Sequence, residues 1–472
     1  MRDDFKNRDS HFLFDREGFR NNIIMRAVEI LNIVLMTLPF FITWLVYYGP
    51  RNYIPFYFWG NWAVIVVFFI VYWLCARAYD VFQIYNLRIQ ELVYSQMVAC
   101  IITDLIGYLI ICILGRGFLN FVPILIMLAA QGCLAVGWAY FSHRWYFSKY
   151  KPLKTLIIHG PTTREIDKRF KTEDMAVRFD VKDIVTVGNI SDDLNKLMEY
   201  DVVFLKGIQS EQRDDILKYC LENNKVAYVI PFTGDLLMSG AQKVNLYNLP
   251  LLKVDRYNPA PEYLFFKRLL DIIFSAVGLI VASPLMLFIA IMIKACDKGD
   301  VFYRQTRLTK NGRHFQIIKF RSMVMGAEDD GVARLSAGDE DERITKCGKF
   351  LRKTRFDELP QLINILKGEM SFVGPRPERP ELAEEYKKEL PDFDLRLQVR
   401  AGLTGYAQVH GKYNTTPKDK LLLDLMYISR PHLAEDAKIV FSTVKTIFFK
   451  EDSTEGVEKG RTTAIPKKNK DT

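Results

Sequence analysis

The chain lacks several patterns that would settle its chemistry early. Its seven cysteines include no CxxC pair, so neither a zinc site nor a disulfide framework is indicated. Cys75, Cys100, Cys112 and Cys133 lie in or beside apolar runs, and Cys220, Cys296 and Cys347 are scattered. Reduced thiols in a cytoplasm-facing protein are the expectation. No small-residue cleavage site follows the basic N-terminus, which argues against a cleaved signal peptide. The first strand-like segment ends in "HGPTTRE", without GxGxxG. A dinucleotide pyrophosphate needs those glycines for close backbone approach, so a working dinucleotide site is not expected.

What is present is lopsided. The chain has 472 residues, enough for two or three domains, and most long apolar runs fall in the first third. Net charge is +9 and the isoelectric point is near 9.0. A basic balance suits an anionic cytoplasmic leaflet and anionic substrates. Nucleic acid is not the expected partner, because the apolar runs indicate a membrane protein. They lie near residues 27–48, 57–76, 95–114 and 119–141, each about 20 residues, the length that crosses a bilayer. Trp44, Tyr47, Tyr48, Trp59, Trp62 and Trp73 sit towards segment ends, as interfacial aromatics do. Residues 1–26 carry six arginines and lysines, while the first and third loops have only Arg51 and Arg116. The positive-inside rule therefore puts both ends of a four-helix transmembrane bundle (27–148) in the cytoplasm. Asp104, inside the third span, reads either as a relay residue or as a group paired with a neighbouring helix.

Residues 152–250 alternate short apolar strands with helical stretches. "KTLIIHG", "DIVTVG", "DVVFLKG" and "KVAYVIPF" predict a parallel sheet and a Rossmann-like or flavodoxin-like α/β domain. A second uncharged run fills residues 272–293. Basic residues flank it on both sides, whereas a crossing helix favours one basic flank. Ser283 and Pro284 stand at its midpoint; proline removes a backbone donor and bends a helix there, and the serine can cover a freed carbonyl. Residues 265–295 are therefore expected to form a bent, re-entrant membrane helix, the rival being a kinked fifth span.

Residues 296–450 hold the chemical candidates. "VFYRQTR" and "HFQIIKFRSM" read as strands joined by an Asn311-Gly312 hairpin turn. Alternation points Lys319 and Arg321 to one face, where two cations can hold phosphates. Further on comes "FDELPQLINILKGEMSFVGPRPE". Leu359, Leu362, Ile363 and Leu366 have helical spacing, Pro360 fits a first turn, and Asp357 and Glu358 then sit at the positive end of the helix dipole. Arg352, Lys353 and Arg355 crowd just upstream. Helix capping alone explains one acid but not two acids beside three cations. The residues by themselves indicate a membrane enzyme that handles phosphates. The last residues, 451–472, are rich in Lys, Thr and Glu and read as a disordered tail.

The stretch from about Phe265 to Phe449 resembles the bacterial sugar transferase family, the polyprenyl-phosphate hexose-1-phosphate transferases. "KFRSM", "FLRKTR", the Asp357-Glu358 dyad, "GPRP" and "VRAGLTGYAQVHG" carry the resemblance. It implies a mainly α catalytic domain behind a Ser-Pro-broken re-entrant membrane helix. A fifth crossing would leave that domain outside, away from nucleotide-sugars. The resemblance also implies that hexose-1-phosphate passes from a UDP-sugar to undecaprenyl phosphate with release of UMP, the first membrane step of exopolysaccharide, capsule or O-antigen assembly. Asp357 is then the nucleophile of an aspartyl-phosphosugar intermediate and Glu358 a magnesium ligand, with manganese as a substitute metal. Lys319, Arg321, Arg352, Arg376, Arg400 and Gln408 are the expected phosphate- and nucleotide-binding residues. Asp436 is the expected second metal ligand and Asp424 its rival. The implied location is the bacterial inner membrane, with the catalytic domain on the cytoplasmic face; a homodimer is compatible with this layout. Two alternatives stay open: a glycosyl transferase that moves only the sugar, and a non-catalytic membrane regulator of polysaccharide assembly.

Overall fold

The computed structural model describes residues 3–53, 56, 58–85, 87–161, 173–191, 194–246, 249–257, 259–297, 299–326, 343–411 and 416–448. The side chains before residue 23, with five of the six N-terminal basic residues, and the expected disordered tail at 451–472 lie outside the described residues. The chain divides into two compact units, Met1–Tyr228 and Val229–Thr472.

The first unit opens with helices α1 (Asp3–Thr43), α2 (Phe58–Ala78), α3 (Ile89–Leu114) and α4 (Val122–Lys149). Apolar stretches of membrane-crossing length run over Ile23–Arg51, Trp59–Ala78, Ile89–Leu114 and Val122–Lys149, in register with the four sequence runs. Their cores hold Met36, Tyr72, Ala99 and Cys100 in one cluster and Phe40, Trp44, Phe68 and Ile111 in another. Polar groups inside the helices bond one another, as an apolar surround demands. Tyr72 donates to Asn32 (3.2 Å), and Gln131 of α4 donates to Asp104 of α3 (3.2 Å). Asp104 is thus paired with a neighbouring helix.

A parallel α/β region follows: β1 (Leu153–His159), α5 (Glu173–Ala176), β2 (Phe179–Thr186), α6 (Val187–Ser191), β3 (Val202–Lys206) and α7 (Ser210–Glu222). Strand β4 (Val226–Ile230) completes the strand order β2-β1-β3-β4, and β1 runs parallel to both β2 and β3. The apolar runs of β1 and β3 are buried, as central parallel strands should be. Strand β2 starts earlier than the "DIVTVG" run, at Phe179, whose ring meets Phe204 edge-on at 5.2 Å.

The second unit begins with α8 (Thr233–Ser239) and an antiparallel pair, β5 (Gln242–Leu246) and β6 (Leu249–Lys253). Helix α9 (Pro261–Asp297) comes next as one continuous helix of 37 residues with Pro284 inside it. The Ser283 hydroxyl donates to the Ile280 carbonyl at 2.7 Å. Helical structure therefore continues through the Ser-Pro step instead of stopping there. Much of α9 is bare and apolar, including Phe265, Ile280, Val281, Leu287, Phe288 and Ile291. Its remaining face packs on the rest of the unit at both ends. Arg268 donates to the Ile365 and Leu366 carbonyls (2.8 Å each), and Ile289 and Ile293 are buried with Phe320 and Leu351.

The rest of the unit comprises the antiparallel hairpin β7 (Phe302–Leu308) and β8 (His314–Phe320), α10 (Lys346–Thr354), α11 (Gln361–Lys367), β9 (Met370–Val373), α12 (Pro380–Glu389), β10 (Ala401–Thr404), α13 (Tyr406–His410), α14 (Pro417–Ser429) and α15 (Leu433–Phe448). Asn311 and Gly312 both have positive φ (62° and 71°), the left-handed pair expected of an Asn-Gly turn. The main core gathers Val373, Phe393, Leu421, Leu425, Tyr427 and Ile439.

The fold brings two cysteines together: Cys296, at the end of α9, and Cys347, in the first turn of α10, meet sulfur to sulfur across 51 residues of sequence. Spacing could not reveal the pair because the fold, not proximity along the chain, brings the two helix ends together. Cys75, Cys100, Cys112, Cys133 and Cys220 remain free thiols.

Candidate active site

Strand β8 delivers the first cation. Phe315 and Ile317 are buried on one face of the strand, and Lys319 continues that row where the apolar core ends. Its ammonium lies 3.0 Å from Glu358 Oε1. Arg321, two residues on, leads elsewhere. Its guanidinium lies against Gly299 and donates to the Met325 sulfur.

The acidic pair sits on a local turn, not on the helix that spacing predicts. Helix α10 ends at Arg355, which takes a left-handed conformation (φ 59°, ψ 17°). Such a backbone costs a non-glycine residue on the order of 1 kcal/mol. It reverses the chain into a 3₁₀ turn over Phe356–Glu358, and Pro360 caps the separate helix α11. The dyad therefore precedes α11 instead of occupying its first turn. The buried stripe shifts as well. Gln361, Leu362, Asn364 and Ile365 are buried, whereas Leu366 is exposed. A seven-residue helix wedged between β8 and α9 buries two sides, so one periodic stripe does not describe it. Asn364 makes this wedge fit: it accepts from the Ile318 amide (3.0 Å) and donates to the Gln316 carbonyl (2.8 Å).

Glu358 is largely buried and held by two cations on one oxygen. Arg376 donates to Oε1 at 3.2 Å, opposite Lys319. Burial alone would push its carboxyl up; Lys319, Arg376 and Arg355 outweigh that and hold it well below the usual carboxylate range. Asp357, beside it, is 8% exposed. Arg352 donates to the Ser322 hydroxyl at 2.9 Å, tying α10 to the end of β8.

Arg376 is aimed by a turn whose backbone is tied at nearly every residue. The Gly374 amide donates to Thr404, and the Pro375 carbonyl accepts from Gly402 (2.9 Å each). The Arg376 carbonyl accepts from Arg396 (3.1 Å), and the Pro377 carbonyl from Arg307 (3.0 Å). The Glu378 carbonyl accepts from the Leu308 amide (3.0 Å). Gly374 is required by space: a Cβ there would lie 2.3 Å from the Arg400 carbonyl oxygen. Below the turn, Glu378 takes Lys420 (2.7 Å) and Arg396 (3.5 Å). Those cations overcome its burial and lower its carboxyl to about 2. Burial lowers Arg307 to about 10.

The remaining expected residues lie elsewhere. Asp436 is engaged by Lys267 (2.9 Å), Tyr263 (2.9 Å) and Tyr427 (2.7 Å). Asp424 pairs with Arg396. Gln408 donates to the Leu403 carbonyl within its own turn (3.1 Å), and Arg400 is exposed. No group of three carboxylate, histidine or cysteine ligands occurs among the described residues. Sequence reading missed Arg307, Arg396 and Lys420; their charges gave no signal because their role is to hold backbone and a buried acid.

Two adjacent acids among cations, beside a bare apolar helix, define a membrane protein with a site suited to phosphate esters. Residues 262–450 match the bacterial sugar transferase family. A protein of Aeromonas hydrophila named UDP-N-acetylgalactosamine-undecaprenyl-phosphate N-acetylgalactosaminephosphotransferase is 42% identical over 192 residues, 40% of this chain and 45% of that protein. Two proteins named UDP-glucose:undecaprenyl-phosphate glucose-1-phosphate transferase are each 39% identical. The match to the Klebsiella pneumoniae protein covers 45% of this chain and 46% of that one, and the match to the Caulobacter vibrioides protein covers 38% and 69%. The chain thus spans under half the length of the Aeromonas and Klebsiella relatives. It belongs to the bacterial sugar transferase family.

Proposed function

We propose that this chain is a phosphoglycosyl transferase that moves hexose-1-phosphate from a UDP-sugar to undecaprenyl phosphate. The observation that carries the reading is Glu358, held between Lys319 and Arg376 with Asp357 at its side. The names of the relatives support the substrate classes.

In the proposed reaction the Asp357 carboxylate attacks the sugar-linked phosphorus. The phosphorus–oxygen bond to the UMP phosphate breaks, and UMP leaves with that electron pair. A phosphate oxygen of the lipid then attacks the same phosphorus and returns the carboxylate. The product is a lipid pyrophosphate carrying the sugar. Splitting the transfer lets nucleotide and lipid bind in turn. Lys319 and Arg376, both on Glu358, would offset phosphate charge, and Arg352 is proposed to join them from α10. Glu358 fits a magnesium ligand, because both cations on it use Oε1 and no described residue takes its second oxygen. When bound, magnesium would neutralise the pyrophosphate. Arg321 and Gln408 remain proposed nucleotide contacts.

The re-entrant reading of α9 has a geometric support. On a straight helix Arg268 and Ile293 would lie about 37 Å apart, yet both bear on residues 351–366 of the same compact body. The catalytic domain then stays on the cytoplasmic face of a four-span, Rossmann-like chain in the inner membrane. Incubating membranes with radiolabelled UDP-sugar tests the reaction: UMP and labelled lipid are expected. Release of UDP would assign the protein to sugar-only transfer, and absence of labelled lipid with every hexose donor would leave it a regulator.

A further inference from the structure

The opposite end of the β7–β8 hairpin carries a second cationic cluster, remote from the acidic dyad. Arg256 precedes α9 and donates to Asn311 of the hairpin turn at 2.9 Å. Lys310, in the same turn, lies 5.9 Å from the centre of the Tyr257 ring. The Tyr257 amide donates to Gln398 (3.0 Å), and the Ala401 amide donates to the Thr309 hydroxyl (3.1 Å), which brings Arg400 beside the turn. Three segments distant in sequence are thus pinned so that Arg256, Lys310 and Arg400 converge. Among the described residues no carboxylate forms an ion pair with any of the three. Burial, with Arg400 and Arg256 nearby, lowers the Lys310 ammonium from its ordinary range. A fold that holds like charges together without a counter-ion is arranged for an external anion.

We propose that Arg256, Lys310 and Arg400 form a phosphate-binding site separate from the Glu358 centre. Strand β8, from His314 to Phe320, separates Lys310 from Lys319 by about 20 Å. The two guanidinium groups offer planar, paired donors and the lysine a point charge, a set suited to a phosphate monoester or diester. Arg256 and Tyr257 lie directly upstream of Pro261, where the bare apolar helix begins. The phosphate can therefore belong to an anionic lipid headgroup or to a soluble phosphate ester. The site goes beyond the proposed transfer and does not depend on it, since binding is measured without turnover.

Hydrogen exchange of the full chain, read by mass spectrometry at residues 255–257, 309–313 and 399–401, separates the two sources. One arm adds inorganic pyrophosphate to detergent-solubilised protein. The other compares nanodiscs of phosphatidylglycerol with nanodiscs of phosphatidylcholine. Protection of all three segments by pyrophosphate assigns a soluble ester; protection by phosphatidylglycerol alone assigns a lipid headgroup. The Arg256→Gln, Lys310→Gln double variant should lose the protection and at least tenfold in affinity. Lys310→Arg should retain both, and exchange in β9 should not change in either variant. Lack of protection in both arms, or equal protection in the double variant, overturns the proposal.

Discussion

Arg396 and Asp424 form a buried ion pair, with Nε and Nη2 lying 2.8 and 2.7 Å from the same carboxylate oxygen. They are 2% and 1% exposed on their side chains, so neither charge has water as an alternative partner. The pair also reaches the active site, because Arg396 donates to the Arg376 carbonyl. Asp424→Ala should destabilise the second unit by about 3–5 kcal/mol, the usual cost of stranding a buried charge. Replacing both residues together, as Arg396→Met with Asp424→Leu, should cost less than that single change. Thermal unfolding of the purified variants checks this. In the double variant transfer should still fall, because the Arg376 carbonyl loses its tether.

Lys319 sets the charge of Glu358. In Lys319→Ala, burial would act on Glu358 with one close cation removed, and its carboxyl would titrate higher. Glu358 is needed ionised, so the acid limb of the pH profile of kcat/KM should move to higher pH. The sign follows from a folded-state pKa depressed below its unfolded value: its stabilising contribution is present at high pH and lost as pH falls. Lys319→Arg should restore most of the original profile. An unchanged acid limb in Lys319→Ala would show that Lys319 does not govern Glu358.

Much of this arrangement can be read from residue order, and the exceptions have physical causes. Apolar run length marks the four N-terminal helices, alternation marks β1, β3 and the β7–β8 hairpin, and the Asn311-Gly312 turn appears as spacing predicts. Lys319, Glu358 and Arg376 are brought together as the motifs suggest. Helix phase around the dyad is not legible, because Arg355 breaks the chain into a left-handed residue that no helical pattern announces. Asp436 illustrates a second limit. A carboxylate near the C-terminus can ligate a metal or close a buried network, and only the positions of Lys267, Tyr263 and Tyr427 decide which groups it meets.

Asp357 is the residue on which the proposed chemistry turns. Asp357→Asn keeps the shape and removes the nucleophile, so transfer should fall on the order of 10³-fold or more. Acid quenching of the wild type during turnover should leave a sugar-phosphate mass on the peptide containing residue 357. The asparagine variant should carry none. A wild-type peptide without that mass, under conditions where lipid product accumulates, would mean that transfer proceeds without the aspartyl intermediate.

Glu378 offers a stability test that does not rely on activity. Its carboxyl is held at about 2 against an ordinary 4.5, by Lys420 and Arg396 acting against burial. A depressed folded-state value stabilises the protein above the unfolded pKa, and the benefit disappears as pH falls from about 4.5 towards 2. The contribution is on the order of 3 kcal/mol. Glu378→Gln should lower the thermal midpoint at neutral pH and flatten its decline between pH 5 and pH 3. The same variant should weaken transfer, because Glu378 shares Arg396 with Asp424 and its backbone closes the turn that aims Arg376. Equal pH dependence in the two proteins would show that this acid is not the group whose protonation loosens the unit.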